Sequence, residues 1–108
     1  MNLYVVSDIH IYGESDPNLK SLVNLMTVRA KPVDIIVLAG DVFDVFIGSK
    51  KFFIQQYKQF FEAIKIAEKN QVVIHYIEGN HDFLLKKNFQ KYSNLKLYNQ
   101  WLTLELGN

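Results

Sequence analysis

The segment VDIIVLAGD, residues 33–41, joins an apolar run to a glycine and a carboxylate. The run from Val33 to Leu38 is rich in β-branched residues, and such a run is typical of a strand that is buried on both faces. Gly40 interrupts it, and the missing side chain allows the backbone to turn sharply before Asp41. The segment therefore predicts a buried strand with an aspartate at its carboxyl end.

Two other apolar runs have the same arrangement. Leu3–Val6 precedes the polar residues of SDIH (7–10), and Val72–Ile77 precedes EGNHD (78–82). Helical segments separate the three runs, so the order is strand, helix, strand, helix, strand. That order predicts an α/β fold, in which a βαβαβ parallel sheet with right-handed crossovers is flanked by helices. Ligands of such sheets bind outside the carboxyl ends of the strands, where all three polar clusters fall.

The segments between the strands are predicted to be helical. The first helix begins at Pro17, with Asp16 as its N-cap, and ends before Pro32. The second spans residues 50–69 and carries aromatic residues at helical spacing. We expect four of these to pack in the core: Phe53, Tyr57, Phe60 and Phe61. A last alternating segment, Trp101–Leu106, predicts a strand with one exposed face.

Composition excludes several classes of function. A formal charge of +1, without clustered lysine and arginine, argues against a nucleic-acid partner. The absence of cysteine excludes disulfides and thiolate metal sites, so any metal must use oxygen and imidazole ligands. No signal peptide precedes the first strand, and no apolar run approaches the roughly 20 residues of a membrane span. We therefore expect a cytoplasmic protein.

The polar clusters contain donors that suit divalent metal ions. Asp8 and His10 are two residues apart, so in an extended segment both side chains point the same way and could reach one ion. Asp41 has two oxygens and could bridge two ions, while Asn80 offers a neutral oxygen. His81 could hydrogen-bond a substrate oxygen or protonate a leaving group. Ligands of this kind suit Mn²⁺, Fe²⁺, Zn²⁺ or Mg²⁺ and do not choose among them.

The blocks SDIH, GDVFD and GNHD, in this order, resemble the first three signature blocks of the calcineurin-like metallophosphoesterases. Those blocks are D-x-H, G-D-x-x-D and G-N-H-[DE]. The resemblance implies a hydrolase with two divalent metal ions, of which manganese is the first expectation. Asp8 and His10 would hold the first metal and Asp41 would bridge both. Asn80 would hold the second.

The same resemblance implies roles for three further residues. His81 and Asp82 would be the catalytic residues, with His81 assisting phosphoryl transfer and Asp82 orienting His81. Asp44 would support the metal ligands from behind them, although an N-cap role explains this aspartate equally well.

A narrower resemblance concerns the substrate. GDVFDVFIG (40–48) and GNHDF (79–83) are similar to the bacterial UDP-2,3-diacylglucosamine hydrolases, which cleave a pyrophosphate in lipid A synthesis. It implies a nucleotide-linked lipid substrate and peripheral association with the inner membrane. Many of those enzymes carry arginine where His81 stands, so a generic phosphodiesterase remains an alternative. The candidate substrate contacts are Phe43, Phe46, Phe52 and Phe83.

The family's later blocks supply three more histidines that this sequence lacks. Besides His10 and His81 it has only His75, which is mid-strand and which we expect to be a hydrogen-bonded residue of the core or of a sheet face. We therefore expect residues 1–108 to be the N-terminal portion of a single metallophosphoesterase domain, inactive alone. An open half-sheet predicts self-association or a complementing chain. The alternative from another class is a non-catalytic binding module of this fold.

Overall fold

The structure is a computed structural model that describes residues 1–99, so the strand predicted for Trp101–Leu106 lies outside the described residues. The elements along the chain are β1 (Leu3–Val6), α1 (Pro17–Asn24), a π-helical turn (Leu25–Arg29), β2 (Ile35–Ala39), β3 (Phe46–Ile47), α2 (Lys51–Gln56), α3 (Lys58–Lys69), β4 (Val73–Ile77), β5 (Asp82–Phe83), α4 (Lys86–Phe89) and β6 (Leu95–Tyr98). Within residues 1–99, no helix has both the length and the apolar character needed to cross a bilayer.

The main sheet has four parallel strands in the order β1-β2-β4-β6. Its register pairs Leu3 with Ile35, and Ile35 with Val73, so the three strands that the sequence predicts lie side by side. The α/β fold with a parallel sheet is confirmed. β3 and β5 form a separate two-stranded parallel sheet, which the sequence does not predict.

β2 begins at Ile35, two residues later than predicted. Val33 has a φ of 69°, which places it in a turn, and Asp34 stabilises this turn. The Asp34 carboxylate accepts hydrogen bonds from the backbone N–H groups of Lys31 and Asn2, both at 2.8 Å. These two bonds hold the pKa of Asp34 below its ordinary value.

Asp16 caps α1 as predicted, because its side chain accepts a hydrogen bond from the Asn18 N–H at 2.8 Å. The helix predicted for residues 50–69 is wrong in one respect, since α2 and α3 are separate helices that meet at Tyr57. Tyr57 is buried, and its hydroxyl donates to the Ile11 carbonyl at 3.2 Å. Tertiary packing of this one side chain overrides the helical pattern.

An aromatic cluster fills the core under the loop that follows β2. Phe43 lies 5.0 Å from Phe46, 4.4 Å from Tyr57 and 5.1 Å from Phe60, measured between ring centroids. Phe43 and Phe46 are both 0 % exposed, so the prediction that they contact substrate is wrong. They belong to the core because their loop folds inward against α3. The predicted core aromatics are confirmed, two fully buried and two partly buried: Tyr57, Phe60, Phe53 and Phe61.

His75 is hydrogen-bonded, as predicted, and of the two predicted positions it occupies the sheet face. It alternates with Ile74 and Tyr76, which point into the core, so its own side chain lies on the opposite face. Its Nδ1 atom lies 2.9 Å from the Tyr98 hydroxyl. Burial, and secondarily the charge of Lys96, lower the pKa of His75.

Candidate metal centre

Three loops continue the strand order beyond the sheet. The first loop (residues 7–11) follows β1, the central loop (40–44) follows β2, and the third loop (78–82) follows β4. Because β2 lies between β1 and β4, the central loop lies between the other two. The carboxyl ends of parallel strands thus bring the three polar clusters to one edge of the sheet.

Backbone hydrogen bonds join the first loop to the central loop. The Asp8 N–H donates to the Gly40 carbonyl at 3.2 Å, and the His10 N–H donates to the Asp41 carbonyl at 3.2 Å. The Asp44 N–H donates back to the Ile11 carbonyl at 2.8 Å. These three backbone hydrogen bonds fix the position of the first loop relative to the central loop.

The third loop contacts the other side of the central loop. The Asp41 Oδ1 atom accepts the backbone N–H of His81 at 3.1 Å. Gly79 packs so closely here that a Cβ atom on it would lie 2.6 Å from the Asp41 nitrogen. Asn80 is exposed and lies between these two contacts. Asp41 therefore contacts both neighbouring loops, the first through its backbone carbonyl and the third through its carboxylate.

The three acidic and imidazole candidates share an unusual backbone conformation. The φ angles are 54° at Asp8, 45° at His10 and 49° at Asp41, all in the left-handed region. Such residues cost about 1–3 kcal/mol each, and the surrounding structure must hold them there. The spacing of Asp8 and His10 suggests that their side chains converge through strand alternation, but the backbone at these residues is not extended. The extended-segment explanation is wrong, because both residues have left-handed φ angles in the irregular loop that follows β1.

The side chains nevertheless form one cluster of donor atoms. One ligand atom each from Asp8, His10 and Asp41 can be chosen so that all lie within 4.8 Å of one another. Asp8 and His10 are exposed and Asp41 is half-buried, so the cluster is open to solvent. Ligands held at about 2.0–2.3 Å from one ion are roughly 3–4.5 Å apart. The oxygen and nitrogen donors present therefore fit a divalent cation.

Asp44 lies beside one of these donors. Its Oδ1 atom is 3.6 Å from the His10 Nδ1 atom, and the two side chains are 51 % and 43 % exposed. α2 begins only at Lys51, so the alternative N-cap role of Asp44 is wrong. A carboxylate at Nδ1 leaves the Nε2 atom of the same ring free for a metal ion.

The imidazole of His81 lies near that of His10. Their ring centroids are 5.5 Å apart and the rings are nearly perpendicular, at 84°. His81 is exposed, as a group that reaches substrate must be. Phe83 is 37 % exposed and Phe52 is 66 % exposed, so both are accessible to a ligand. The predicted roles of His81, Asn80, Phe83 and Phe52 stay predictions.

Asp82 is 0 % exposed and occupies a different position from the one predicted. Its carboxylate accepts hydrogen bonds from the Tyr76 hydroxyl (2.6 Å) and from the backbone N–H groups of Gly79 (2.8 Å), Val42 (3.0 Å), Asp41 (3.1 Å) and Phe43 (3.4 Å). Among the described residues, the ring of His81 is not one of its partners. The prediction that Asp82 is catalytic and orients His81 is therefore wrong.

Sequence reasoning missed Tyr76 as a residue of this region. Alternation in β4 places its side chain on the core face, where a phenol hydroxyl requires a hydrogen-bond partner. A buried tyrosine in a strand therefore indicates a hydrogen-bond partner, but the sequence does not identify Asp82 as that partner. Burial, followed by the charge of Asp82, raises the pKa of Tyr76 well above its ordinary value, so the phenol stays protonated.

Comparison with known proteins agrees with the three signature blocks. The family model for calcineurin-like phosphoesterases matches residues 1–107. Three similar proteins are UDP-2,3-diacylglucosamine hydrolases, at 26% identity over 98 residues in Psychromonas ingrahamii, 29% over 101 in Escherichia coli O81 and 32% over 106 in Actinobacillus succinogenes. The alignments cover 90%, 94% and 95% of this chain but 40%, 42% and 43% of those proteins. The chain thus spans about two fifths of the length of these relatives.

The resemblance of SDIH, GDVFD and GNHD to one hydrolase family is confirmed by that match. The family implies divalent metal ions, and Asp8, His10 and Asp41 form a potential site for such ions. The chain belongs to the calcineurin-like phosphoesterase family.

Proposed function

We propose that the protein is a metal-dependent hydrolase of phosphoester or pyrophosphate bonds, with residues 1–108 as the N-terminal portion of a single metallophosphoesterase domain. One observation carries the proposal: donor atoms of Asp8, His10 and Asp41 lie within 4.8 Å of one another at the ends of adjacent parallel strands. A chance acidic cluster would not combine this position with a family match over residues 1–107.

The four candidate ligands divide between two ions. Asp8 and His10 would hold the first ion and Asn80 the second, while Asp41 would bind both. The contacts of Asp41 with both neighbouring loops support this shared role. Manganese is the first candidate, and iron, zinc and magnesium also suit these donors. Such ions supply Lewis-acid polarisation of a phosphoryl oxygen and lower the pKa of a nearby water.

The remaining side chains would orient groups and move protons. Asp44 would hold the His10 ring through Nδ1, with Nε2 directed toward the ion. His81, exposed and close to His10, would donate a proton to the leaving-group oxygen or hydrogen-bond the phosphoryl group.

The proposed substrate is UDP-2,3-diacylglucosamine, hydrolysed in the cytoplasm at the inner membrane surface. The names of the similar proteins support this choice. The exposed rings of Phe83 and Phe52 are suited to contact the acyl chains. β1 has two exposed apolar side chains, Leu3 and Val5, and we propose that a second copy or a complementing chain covers them.

A generic phosphodiesterase is the second candidate, and His81 favours it. His81 matches the general signature of the family, whose members hydrolyse many different phosphoesters. A non-catalytic binding module is disfavoured, because such modules lose metal ligands, whereas all four early ligand types are present here: Asp8, His10, Asp41 and Asn80.

Hydrolysis assays on the full-length protein separate these candidates. We expect Mn²⁺-dependent cleavage of UDP-2,3-diacylglucosamine, reduced at least about 100-fold by Asp41→Ala and unchanged by Glu62→Ala on the exposed side of α3. Cleavage of bis(4-nitrophenyl) phosphate alone would favour the generic phosphodiesterase. Metal binding without turnover of either compound would favour the binding module.

A further inference from the structure

We propose that Tyr76 and Asp82 form a buried clamp that holds Asp41 in the left-handed conformation needed for metal binding. Tyr76 is then a positioning residue, which acts on the metal through Asp82 and Asp41. The inference rests on the proposed function only in taking Asp41 as a metal ligand.

The two oxygens of Asp82 join the central loop to the third loop. Oδ1 accepts the N–H groups of Asp41, at 3.1 Å, and Gly79, at 2.8 Å. Oδ2 accepts the N–H of Val42, at 3.0 Å, and the hydroxyl of Tyr76, at 2.6 Å. A single carboxylate therefore connects the ends of β2 and β4.

Asp41 is fixed at two points by this arrangement. Its backbone N–H is bound by Asp82, and its own Oδ1 accepts the N–H of His81. A φ of 49° is uncommon and costly for a residue other than glycine, so these two bonds help to hold Asp41 in that conformation. The direction of the Asp41 carboxylate thus depends on the position of Asp82.

Tyr76 supplies the only side-chain donor among the described partners of Asp82, and its bond is the shortest of the five. A buried carboxylate is stable only when charge-assisted hydrogen bonds replace its water. The Tyr76 ring itself packs on Phe89, at 5.2 Å, and on Phe60, at 6.3 Å. Tyr76→Phe therefore removes the bond and keeps the packing.

Mn²⁺ affinity, measured by calorimetry on Tyr76→Phe, tests the clamp. We expect a loss of at least about tenfold, the usual effect of removing a group that supports a metal ligand. The matched control is Tyr98→Phe, which removes a phenol hydrogen bond of 2.9 Å to His75 on the opposite face of the sheet. An affinity within twofold of the unchanged protein in Tyr76→Phe would overturn the proposal, and so would an equal loss in both variants.

Amide hydrogen exchange separates failure of the clamp from failure of the proposed function. If the unchanged protein binds no Mn²⁺, the proposed function fails. The clamp is then tested by amide exchange in the metal-free protein. The clamp predicts faster exchange of the amides of Asp41, Val42 and Gly79 in Tyr76→Phe and not in Tyr98→Phe. Unchanged exchange at these three amides would overturn the clamp.

Discussion

Asp41 is the residue on which the three loops converge, since it contacts the first loop through its carbonyl and the third loop through its carboxylate. Its φ of 49° costs about 1–3 kcal/mol, which the contacts around it must offset. Backbone strain at a residue with converging donors is the pattern expected of a functional site, in which structure is held ready for a ligand.

Gly79→Ala tests how closely the third loop must approach Asp41. The new Cβ would clash with the Asp41 Oδ1 atom and lie 2.6 Å from the Asp41 nitrogen. We expect the free energy of unfolding in urea to fall by about 1–3 kcal/mol, with a loss of Mn²⁺ affinity. Gly13→Ala is the control, because its Cβ would meet only Gln56 Nε2, at 3.6 Å. Equal effects of the two substitutions would contradict the close approach.

The sequence predicts which residues converge at this site better than it predicts how. Donor types at strand ends suffice to bring Asp8, His10 and Asp41 together, but the left-handed φ angles have no signal of their own. Asp82 illustrates a second limit. Its amide donors in the central loop lie about 40 positions earlier in the chain, so its burial could not be inferred from the neighbouring residues.

Strands that a continuous apolar run marks are predicted well in position, but the expectation that β1 is fully buried is wrong, because Leu3 and Val5 are exposed. β1 has the predicted bounds, and β2 and β4 differ by one or two residues at their ends. β3 and β5 have two residues each, too few to show any alternation. The break between α2 and α3 at Tyr57 cannot be predicted from the sequence, because the helical pattern of apolar residues continues through it. The break accompanies a contact with Ile11, which is distant in the sequence.

Asp16→Ala tests the link between α1 and the residue that follows the first loop, Tyr12. The Asp16 carboxylate accepts the Asn18 N–H at 2.8 Å and the Tyr12 N–H at 3.1 Å. We expect the loss of both bonds to reduce the free energy of unfolding by about 1–2 kcal/mol. Glu14→Ala, an exposed acid two residues earlier, should change it by less than about 0.5 kcal/mol. An unchanged urea midpoint in Asp16→Ala would argue against the cap.

The whole molecule has helices and the aromatic core on one face of its sheet, while His75 and Tyr98 lie on the other face. The pKa of His75 is lowered from 6.5, mainly by burial. The unfolded chain therefore takes up this proton at a higher pH than the folded protein does. The contribution of neutral His75 to the free energy of unfolding should be complete above pH 6.5. It should decrease as the pH falls below 6.5 toward the lower pKa of the folded state.

Urea denaturation at a series of pH values measures this linkage. His75→Gln should remove the decrease that begins below pH 6.5, and Lys96→Gln should make it smaller, because the Lys96 charge contributes to lowering the His75 pKa. A decrease of the same size in His75→Gln would assign the linkage to other groups.

Titration of the protein with Mn²⁺ tests the donor cluster most directly. Calorimetry of the unchanged protein should show saturable binding, which Asp41→Ala abolishes because it removes the carboxylate that lies beside the donor atoms of Asp8 and His10 and bonds the third loop. Glu62→Ala, remote and exposed on α3, should bind Mn²⁺ like the unchanged protein. Unchanged Mn²⁺ affinity in Asp41→Ala would contradict the assignment of Asp41 as the shared ligand, and no binding by the unchanged protein would contradict the metal site itself.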